Sequence, residues 1–311
     1  MLKDGAAIRT LADGSLTSKQ VEITGSLSKG KYQCTWDGDW HNVDYDDYSL
    51  LLSKMSAKVC FLNLTDAAVT DGDGPQLRTK NDNLLILSPT NFFNTDNVIR
   101  WDGEKNITPK MVLNDDYPFY SPIKFTATSV ELKRGLKNGI NTLCLPFEVT
   151  PSEVKSTKIA TFKGGVTFTT AESVAANTPF ITVDAKEVSK ETETGITFSN
   201  KTIATVTNDI VGETFQGIYV PKTSTEEKYG INSAGKIQKG AAGIKCNAFR
   251  AWLTTIPASA RSIDIDGETT GISNVSLENP VKEIYNLNGV RVNKIGNKGI
   301  YIINGKKVIV K

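Results

Sequence analysis

The most unusual stretch of the chain combines large aromatic residues and carboxylates without any positive charge. Residues 36–48 contain four large aromatics and five aspartates. Aromatic rings can stack on the apolar faces of sugars, and carboxylates accept hydrogen bonds from hydroxyl groups. The stretch therefore predicts a glycan-binding surface. Burial of Trp36, Trp40 and Trp101 would exclude that surface. The candidate ligand-binding residues are Trp36, Asp37, Asp39, Trp40 and Tyr45.

A structural interpretation of the same stretch is also open. Four apolar residues repeat at the i, i+3, i+4 and i+7 positions of one helix face, and Asn42 or Asp44 is a suitable cap for such a helix. On this interpretation the aspartates form turns, and His41, the single histidine, is an ordinary polar residue. The apolar residues of this predicted helix are Tyr48, Leu51, Leu52 and Met55.

Two aspartates close to the end of the chain are the candidate metal ligands. A strand over 262–266 would place Asp264 and Asp266 on one face, because side chains alternate along a strand. Calcium prefers oxygen ligands, so the pair predicts an irregular calcium site. A solvated turn is the alternative. The acidic run Asp71–Gly74 does not continue as an EF-hand loop, because Pro75 occupies the next ligand position.

The sequence lacks the residues that several common catalytic, metal and phosphate-binding sites require. One histidine cannot supply a site that needs two. The four cysteines form no Cys-x-x-Cys pair, and we expect free thiols, with a bridge between Cys34 and Cys60 as the alternative. No glycine-rich phosphate-binding motif is present. We therefore predict no cofactor and no enzymatic activity; a glycoside hydrolase, whose two carboxylates are brought together only by the fold, is the alternative. The cysteines are Cys34, Cys60, Cys144 and Cys246.

The charge balance limits the classes of partner. Lys and Arg number 36 against 34 Asp and Glu, a net charge of +2 over 311 residues. This balance predicts no general affinity for nucleic acid. No apolar run approaches the roughly 18 residues that would suggest a membrane span. The first residues also lack the apolar stretch of a signal peptide, so we expect either a cytosolic chain or a mature domain.

The spacing of apolar residues predicts a mainly-β fold with minor helix. Apolar and polar residues alternate in Lys124–Leu132, Gly165–Thr169 and Gly195–Ser199, the pattern of half-buried strands. Short strands separated by Gly, Asn and Asp turns are typical of sandwiches and barrels. We expect a short stack of strands with one helix over 1–112, a β-sandwich-like module over 113–270 and a β-hairpin tail over 271–311.

Two parts of the chain resemble known protein modules. Val59–Ala67 and Asn83–Leu87 resemble leucine-rich-repeat-like segments in surface proteins of Bacteroidetes, which implies a short, irregular stack of parallel strands. Leu113–Thr128, Gly139–Phe147 and Ala248–Leu253 resemble a β-module that recurs in these secreted proteins. That resemblance implies a lineage and a compartment, and no particular activity.

The tail carries the strongest local signal. Asn288-Gly289 and Asn304-Gly305 each lie between apolar runs, as in hairpins with type I′ turns. The segment resembles the sorting domains of type IX secretion, which implies contact with secretion or surface-anchoring machinery. Residues 281–311 contain seven Lys or Arg and one Glu. A purely structural terminal sheet, with lysines protecting its edges, is the alternative.

These observations together predict a secreted protein or one on the outer-membrane surface. It would be non-enzymatic and would act as an adhesin-like or scaffold module for an unidentified protein or glycan. The alternative is a carbohydrate-active protein of a polysaccharide-utilisation system, either a sugar-binding module or a glycoside hydrolase.

Overall fold

The fold is that of a computed structural model. It describes residues 19–20, 56–65, 80–89, 96–190, 195–269, 285 and 292 with their side chains, and the remaining strand residues by their backbone. The chain divides into two compact units, Met1–Gly271 and Ile272–Lys311. The strands of the first unit are β1 (Ala7–Ile8), β2 (Gln20–Leu27), β3 (Lys31–Trp36), β4 (Asp39–Asp44), β5 (Phe61–Asn63), β6 (Ala67–Val69), β7 (Leu85–Leu87), β8 (Val98–Trp101), β9 (Asn106–Asn114), β10 (Phe125–Lys133), β11 (Thr142–Leu143), β12 (Lys158–Gly164), β13 (Thr167–Ala171), β14 (Phe180–Val183), β15 (Ile196–Ile203), β16 (Ile210–Val211), β17 (Phe215–Ile218), β18 (Lys222–Thr223), β19 (Lys228–Ile231), β20 (Ile237–Gly240), β21 (Lys245–Cys246), β22 (Arg250–Leu253), β23 (Asp264–Ile265) and β24 (Glu268–Thr269). Those of the second unit are β25 (Ile284–Asn286), β26 (Arg291–Val292), β27 (Gly299–Ile303) and β28 (Lys306–Val310).

The predicted mainly-β fold class is confirmed. Within the described ranges the only helical element is a single 3₁₀ turn, Ser152–Val154, and no helix there is long and apolar enough to span a bilayer. The helix predicted for 48–55 lies outside the described residues. Asn42 lies inside β4 and is therefore not a helix cap, whereas Asp44 is the last residue of that strand.

The stack of parallel strands predicted for the N-terminal part is present. β2 pairs with β5, β5 with β7 and β7 with β8, and all three pairings are parallel. β8 then pairs with β9 in the antiparallel sense, β9 with β10 in parallel, and β10 with β15 in the antiparallel sense. The stack and the central strands β9, β10 and β15 therefore belong to one nine-stranded sheet, whereas β13, the third strand with an alternating sequence, belongs to a six-stranded sheet.

Buried asparagines fasten the loops of this stack. Asn83 donates from Nδ2 to the backbone oxygens of Asn114, at 2.8 Å, and Tyr117, at 2.9 Å. Asn97 donates to the oxygens of Asp82 and Val112, and its Oδ1 accepts from the Val112 N–H at 2.6 Å. An amide can donate and accept at once, which suits it to backbone groups left unpaired where strands end.

We expect Asn97→Ala to lower the free energy of unfolding by about 2 kcal/mol, because it leaves buried backbone groups without partners. Asn97 also has a φ of +66°, a conformation that alanine adopts less readily than asparagine. Urea unfolding measures the change. Asn208→Ala, at an exposed position, is the control and should change stability by less than about 0.5 kcal/mol. Equal effects of the two variants would contradict the fastening role.

The central region contains one more layer than a simple sandwich. In the six-stranded sheet, Phe180 and Ile159 pack into the core shared with β9, β10 and β15, whereas the adjacent Ile181 and Ala160 pack into the core shared with β17 and β22. At β12 and β14 this sheet therefore has an apolar core on each face. A strand buried on both faces needs no alternation of polar and apolar residues.

The second unit is a four-stranded antiparallel sheet with the order β26, β25, β27, β28. Ile303 pairs with Lys306, which leaves Asn304-Gly305 as the two-residue connection that the sequence predicts. The first hairpin pairs Ile284 with Val292 and Tyr285 with Arg291. Its register is thus one residue away from the two-residue turn predicted at Asn288-Gly289.

Candidate functional site

Trp36 and residues 39–44 of the aromatic and acidic stretch singled out in the sequence lie in a two-stranded hairpin. β3 and β4 pair antiparallel, with Trp36 opposite Asp39 and Thr35 opposite Trp40. Because residues opposite each other share a face and neighbours alternate, positions 36 and 40 fall on opposite faces of the hairpin. Asp37 and Tyr45 lie outside the described residues. Ligand binding by these five residues stays a prediction.

Trp101 is the most exposed large apolar residue in the part of the chain that the structure describes. Its exposed fraction is 61%, whereas Val98 and Ile99 in the same strand are buried. Trp101 pairs with Asn106 on β9. Ile107 pairs with Thr126, which places Asn106 beside the buried Phe125. Phe125, Asn106 and Trp101 therefore form a row across three neighbouring strands. The row begins at a core residue, Phe125, and ends at the exposed Trp101.

The turn after Trp101 is held by the carboxylate of Asp102. Its Oδ1 accepts the N–H groups of Lys105, at 2.8 Å, and Glu104, at 2.9 Å. The Asp102 N–H donates to the Lys105 oxygen at 3.1 Å. The bonds from the Lys105 and Glu104 backbone lower the pKa of the Asp102 carboxyl below its usual value. The hairpin therefore presents Trp101 beside an ionised carboxylate on a fixed backbone.

The comparisons with known proteins give no assignment. Neither the models of protein families, nor the curated proteins, nor the solved structures gave a match to the chain. The resemblances of the N-terminal part, the central module and the tail to Bacteroidetes surface proteins therefore stay predictions.

A buried charged cluster joins distant parts of the first unit. The fully buried Asp115 carboxylate pairs with Lys190 through Oδ1 and with Arg250 through Oδ2, the second at 2.6 Å. Burial raises the pKa of the Asp115 carboxyl, but the bonds from Lys190 and Arg250 outweigh burial and lower it overall. The carboxylate is thus ionised at neutral pH, and its bonds hold strand ends together.

Arg134 lies beside this cluster and is itself buried. It donates to the backbone oxygens of Phe249, at 2.5 Å, and Thr142, at 2.6 Å. Burial, reinforced by the neighbouring Arg250, lowers the pKa of Arg134 to about 9, so the guanidinium is still charged at neutral pH. Backbone oxygens are good acceptors for a buried cation, and these bonds link β10 to the start of β22.

Three of the four cysteines are buried free thiols. Burial raises the pKa of Cys60 and Cys144 to about 12 and that of Cys246 to about 11. Since the thiolate is the reactive form, these cysteines behave as small apolar side chains. The side chain of Cys34, in β3, is not among those described.

We expect Cys60, Cys144 and Cys246 to resist a thiol reagent in native buffer at pH 8, because burial denies access and suppresses the thiolate. In denaturing buffer, the sequence predicts that all four thiols react. A colorimetric thiol titration in both buffers measures the difference. Rapid native reaction of more than one thiol would contradict the burial of these three residues.

The candidate metal ligands lie at a hairpin. The strand predicted over 262–266 ends at Ile265, and Asp266 adopts a positive φ in the turn to β24. Asp264 Oδ1 accepts the Gly267 N–H at 2.8 Å, and Asp266 accepts both the N–H and the hydroxyl of Thr170 at 2.9 Å. Within the described ranges no group of three or more His, Cys, Asp or Glu gathers around one point. Metal binding by this pair stays a prediction. The hydrogen bond of Asp264 lies within its own turn, and those of Asp266 join the turn to β13.

Proposed function

We propose that this chain is a non-enzymatic recognition protein, adhesin-like or scaffolding, that binds a protein or glycan ligand through its surface. The supporting observation is Trp101, which is 61% exposed at the end of a strand paired on both sides. Tryptophan is mostly buried in folded proteins and is enriched at binding surfaces, where it contributes a large contact area. An exposed tryptophan on a fixed hairpin is therefore best explained as a ligand contact.

The backbone around Trp101 favours recognition because it is already ordered. The pairing with Asn106 and the bonds to Asp102 fix the hairpin without a ligand. A contact group held in place loses less conformational freedom on binding than one on a mobile loop. The same rigidity suits a scaffold or adhesin, which has to keep its contact surface in one shape.

Affinity electrophoresis together with an assay for released reducing ends tests this proposal. The purified chain is run through gels that contain plant or host polysaccharides, and is tested against immobilised peptides. We expect retardation or peptide binding without release of sugar. Release of reducing ends would instead support the glycoside hydrolase alternative, and the absence of binding to every probe would count against recognition.

We also propose that the protein is secreted or displayed on the outer-membrane surface, with the tail contacting sorting or anchoring machinery. The support is the resemblance of residues 281–311 to sorting domains and their excess of positive charge. Protease treatment of intact cells producing the natural gene product should digest the protein. Deletion of residues 272–311 should leave it inside the cell. Unchanged export would favour the purely structural tail.

A further inference from the structure

We infer that Trp101 and the turn from Asp102 to Asn106 form a contact site for a glycan, with the indole stacking on a sugar ring. This inference rests on the proposed recognition function and names its ligand class. The hairpin combines one large exposed aromatic ring with the hydrogen-bonding groups of Asp102, Glu104 and Asn106. A sugar has the matching combination, because an apolar C–H face is ringed by hydroxyl groups.

The polar groups of the turn can pair with sugar hydroxyls. Both bonds within the turn end on Oδ1 of Asp102, so Oδ2 can accept from a ligand. Glu104 is exposed and adds a second carboxylate, while the amide of Asn106, opposite Trp101, can both donate and accept. Acceptors and donors next to an aromatic face are the groups needed to orient a sugar ring.

The openness of the site favours a glycan over a peptide. Tryptophans that anchor protein partners commonly fill desolvated pockets surrounded by other contacts. Here the residues that follow Trp101, from Asp102 to Lys105, are all exposed, and a Cβ built on Gly103 would meet no atom within 4 Å. Asp102, Glu104 and Lys105 together carry a net charge of only −1, which gives little electrostatic attraction for a basic peptide.

A single stacking contact binds weakly, so polymers are the appropriate probes. A polysaccharide repeats the same sugar unit many times, so a gel that contains it presents a high concentration of sites and can retard a weakly binding protein. We therefore choose soluble β-glucan, xylan, galactomannan and chondroitin sulfate in affinity gels, with cellohexaose and laminarihexaose in fluorescence titrations. A set of Lys- and Arg-containing peptides forms the protein arm of the experiment.

We expect at least one glycan to bind the natural chain and Trp101→Ala to weaken that binding by at least about tenfold, the equivalent of about 1.4 kcal/mol. Trp101→Phe retains an aromatic face and should keep part of the affinity. Ile244→Ala is the matched control, because Ile244 is the other exposed large apolar residue among those described, at 42% exposure. Acrylamide quenching of the Trp101 emission, taken as the difference between the natural chain and Trp101→Phe, should fall when the glycan binds.

The outcomes separate this inference from the function on which it rests. Peptide binding that is lost in Trp101→Ala, without any glycan binding, would overturn the glycan assignment and leave recognition in place. Glycan binding that survives Trp101→Ala would place the site elsewhere, with the Trp36 and Trp40 hairpin as the next region to test. Failure of both arms would overturn the glycan site and the proposed function together.

Discussion

Asp115→Ala is expected to lower the free energy of unfolding by about 3 kcal/mol, because it leaves two cations at a buried site without their anion. The Asp115 side chain is fully buried, and both of its oxygens are paired. Lys190 and Arg250 are about one-third exposed, so solvent screens part of the cost and the expected value is at the lower end for buried pairs. Guanidinium unfolding at pH 7 measures the change.

The neighbouring Asp116 provides the control. It also pairs with Lys190, through Oδ2 at 2.6 Å, but its side chain is 49% exposed. Asp116→Ala should therefore cost less than about 1 kcal/mol. Similar losses in the two variants would show that burial of Asp115 does not set the strength of the interaction.

The contribution of Asp115 should also depend on pH. Its pKa is lowered in the folded state, so the stabilisation is complete above the unfolded pKa of about 4 and is lost as the pH falls through the folded value. The difference in stability between the natural chain and Asp115→Asn should thus be constant near neutral pH and should shrink in acid. Unfolding curves between neutral pH and strong acid test this, and a constant difference would contradict it.

Gly217→Ala is expected to destabilise the chain by about 3 kcal/mol through a steric overlap in the core. A Cβ added to Gly217, in β17, would lie 2.4 Å from Cys144 Sγ, 2.6 Å from Cys144 Cβ and 3.1 Å from Pro179 Cγ. Cys144 is fully buried and the proline ring is stiff, so neither neighbour can move aside without displacing its strand or loop. The melting temperature and the urea midpoint should both fall.

Gly230→Ala is the matched control for this overlap. Gly230 also lies in a strand of the five-stranded sheet, but the nearest atom to its added Cβ is the Gln238 oxygen at 3.9 Å. The free energy of unfolding of Gly230→Ala should stay the same or rise by about 0.5 kcal/mol, because alanine has fewer conformations than glycine in the unfolded chain. Equal losses of stability in the two variants would show that replacing a strand glycine is enough to destabilise the chain. The overlap with Cys144 would then not be the cause.

The sequence predicted those strands that have one apolar and one solvated face. Lys124–Leu132 corresponds to β10, Gly165–Thr169 overlaps β13, and Gly195–Ser199 overlaps β15. In these strands the burial alternates between neighbours, so the pattern of residue types carries the structural information. The parallel stack of the N-terminal part was implied by the resemblance of Val59–Ala67 and Asn83–Leu87 to leucine-rich-repeat-like segments.

Other features depend on contacts that no local pattern reports. Phe180 and Ile181 are neighbours in one strand but pack into different cores. Apolar and polar residues therefore do not alternate along that strand. The asparagine at position 97 acts through Val112 on the next strand, which only the register reveals. Trp101 is exposed although Val98 and Ile99 in the same strand are buried, and the residue types of the strand do not indicate that difference. The hairpin of Trp36 and Trp40 gave the stronger sequence signal, but its ligand contacts are still to be tested.

The pairing of β13 with β23 has a consequence for synthesis of the protein. Thr167 meets Asp264, about a hundred residues further along, and contacts of such long range slow folding. A nascent chain on the ribosome therefore exposes one side of β13 until nearly the whole first unit has emerged. During that interval the unpaired backbone can capture another strand, so chaperones that bind extended segments should determine the yield of native protein.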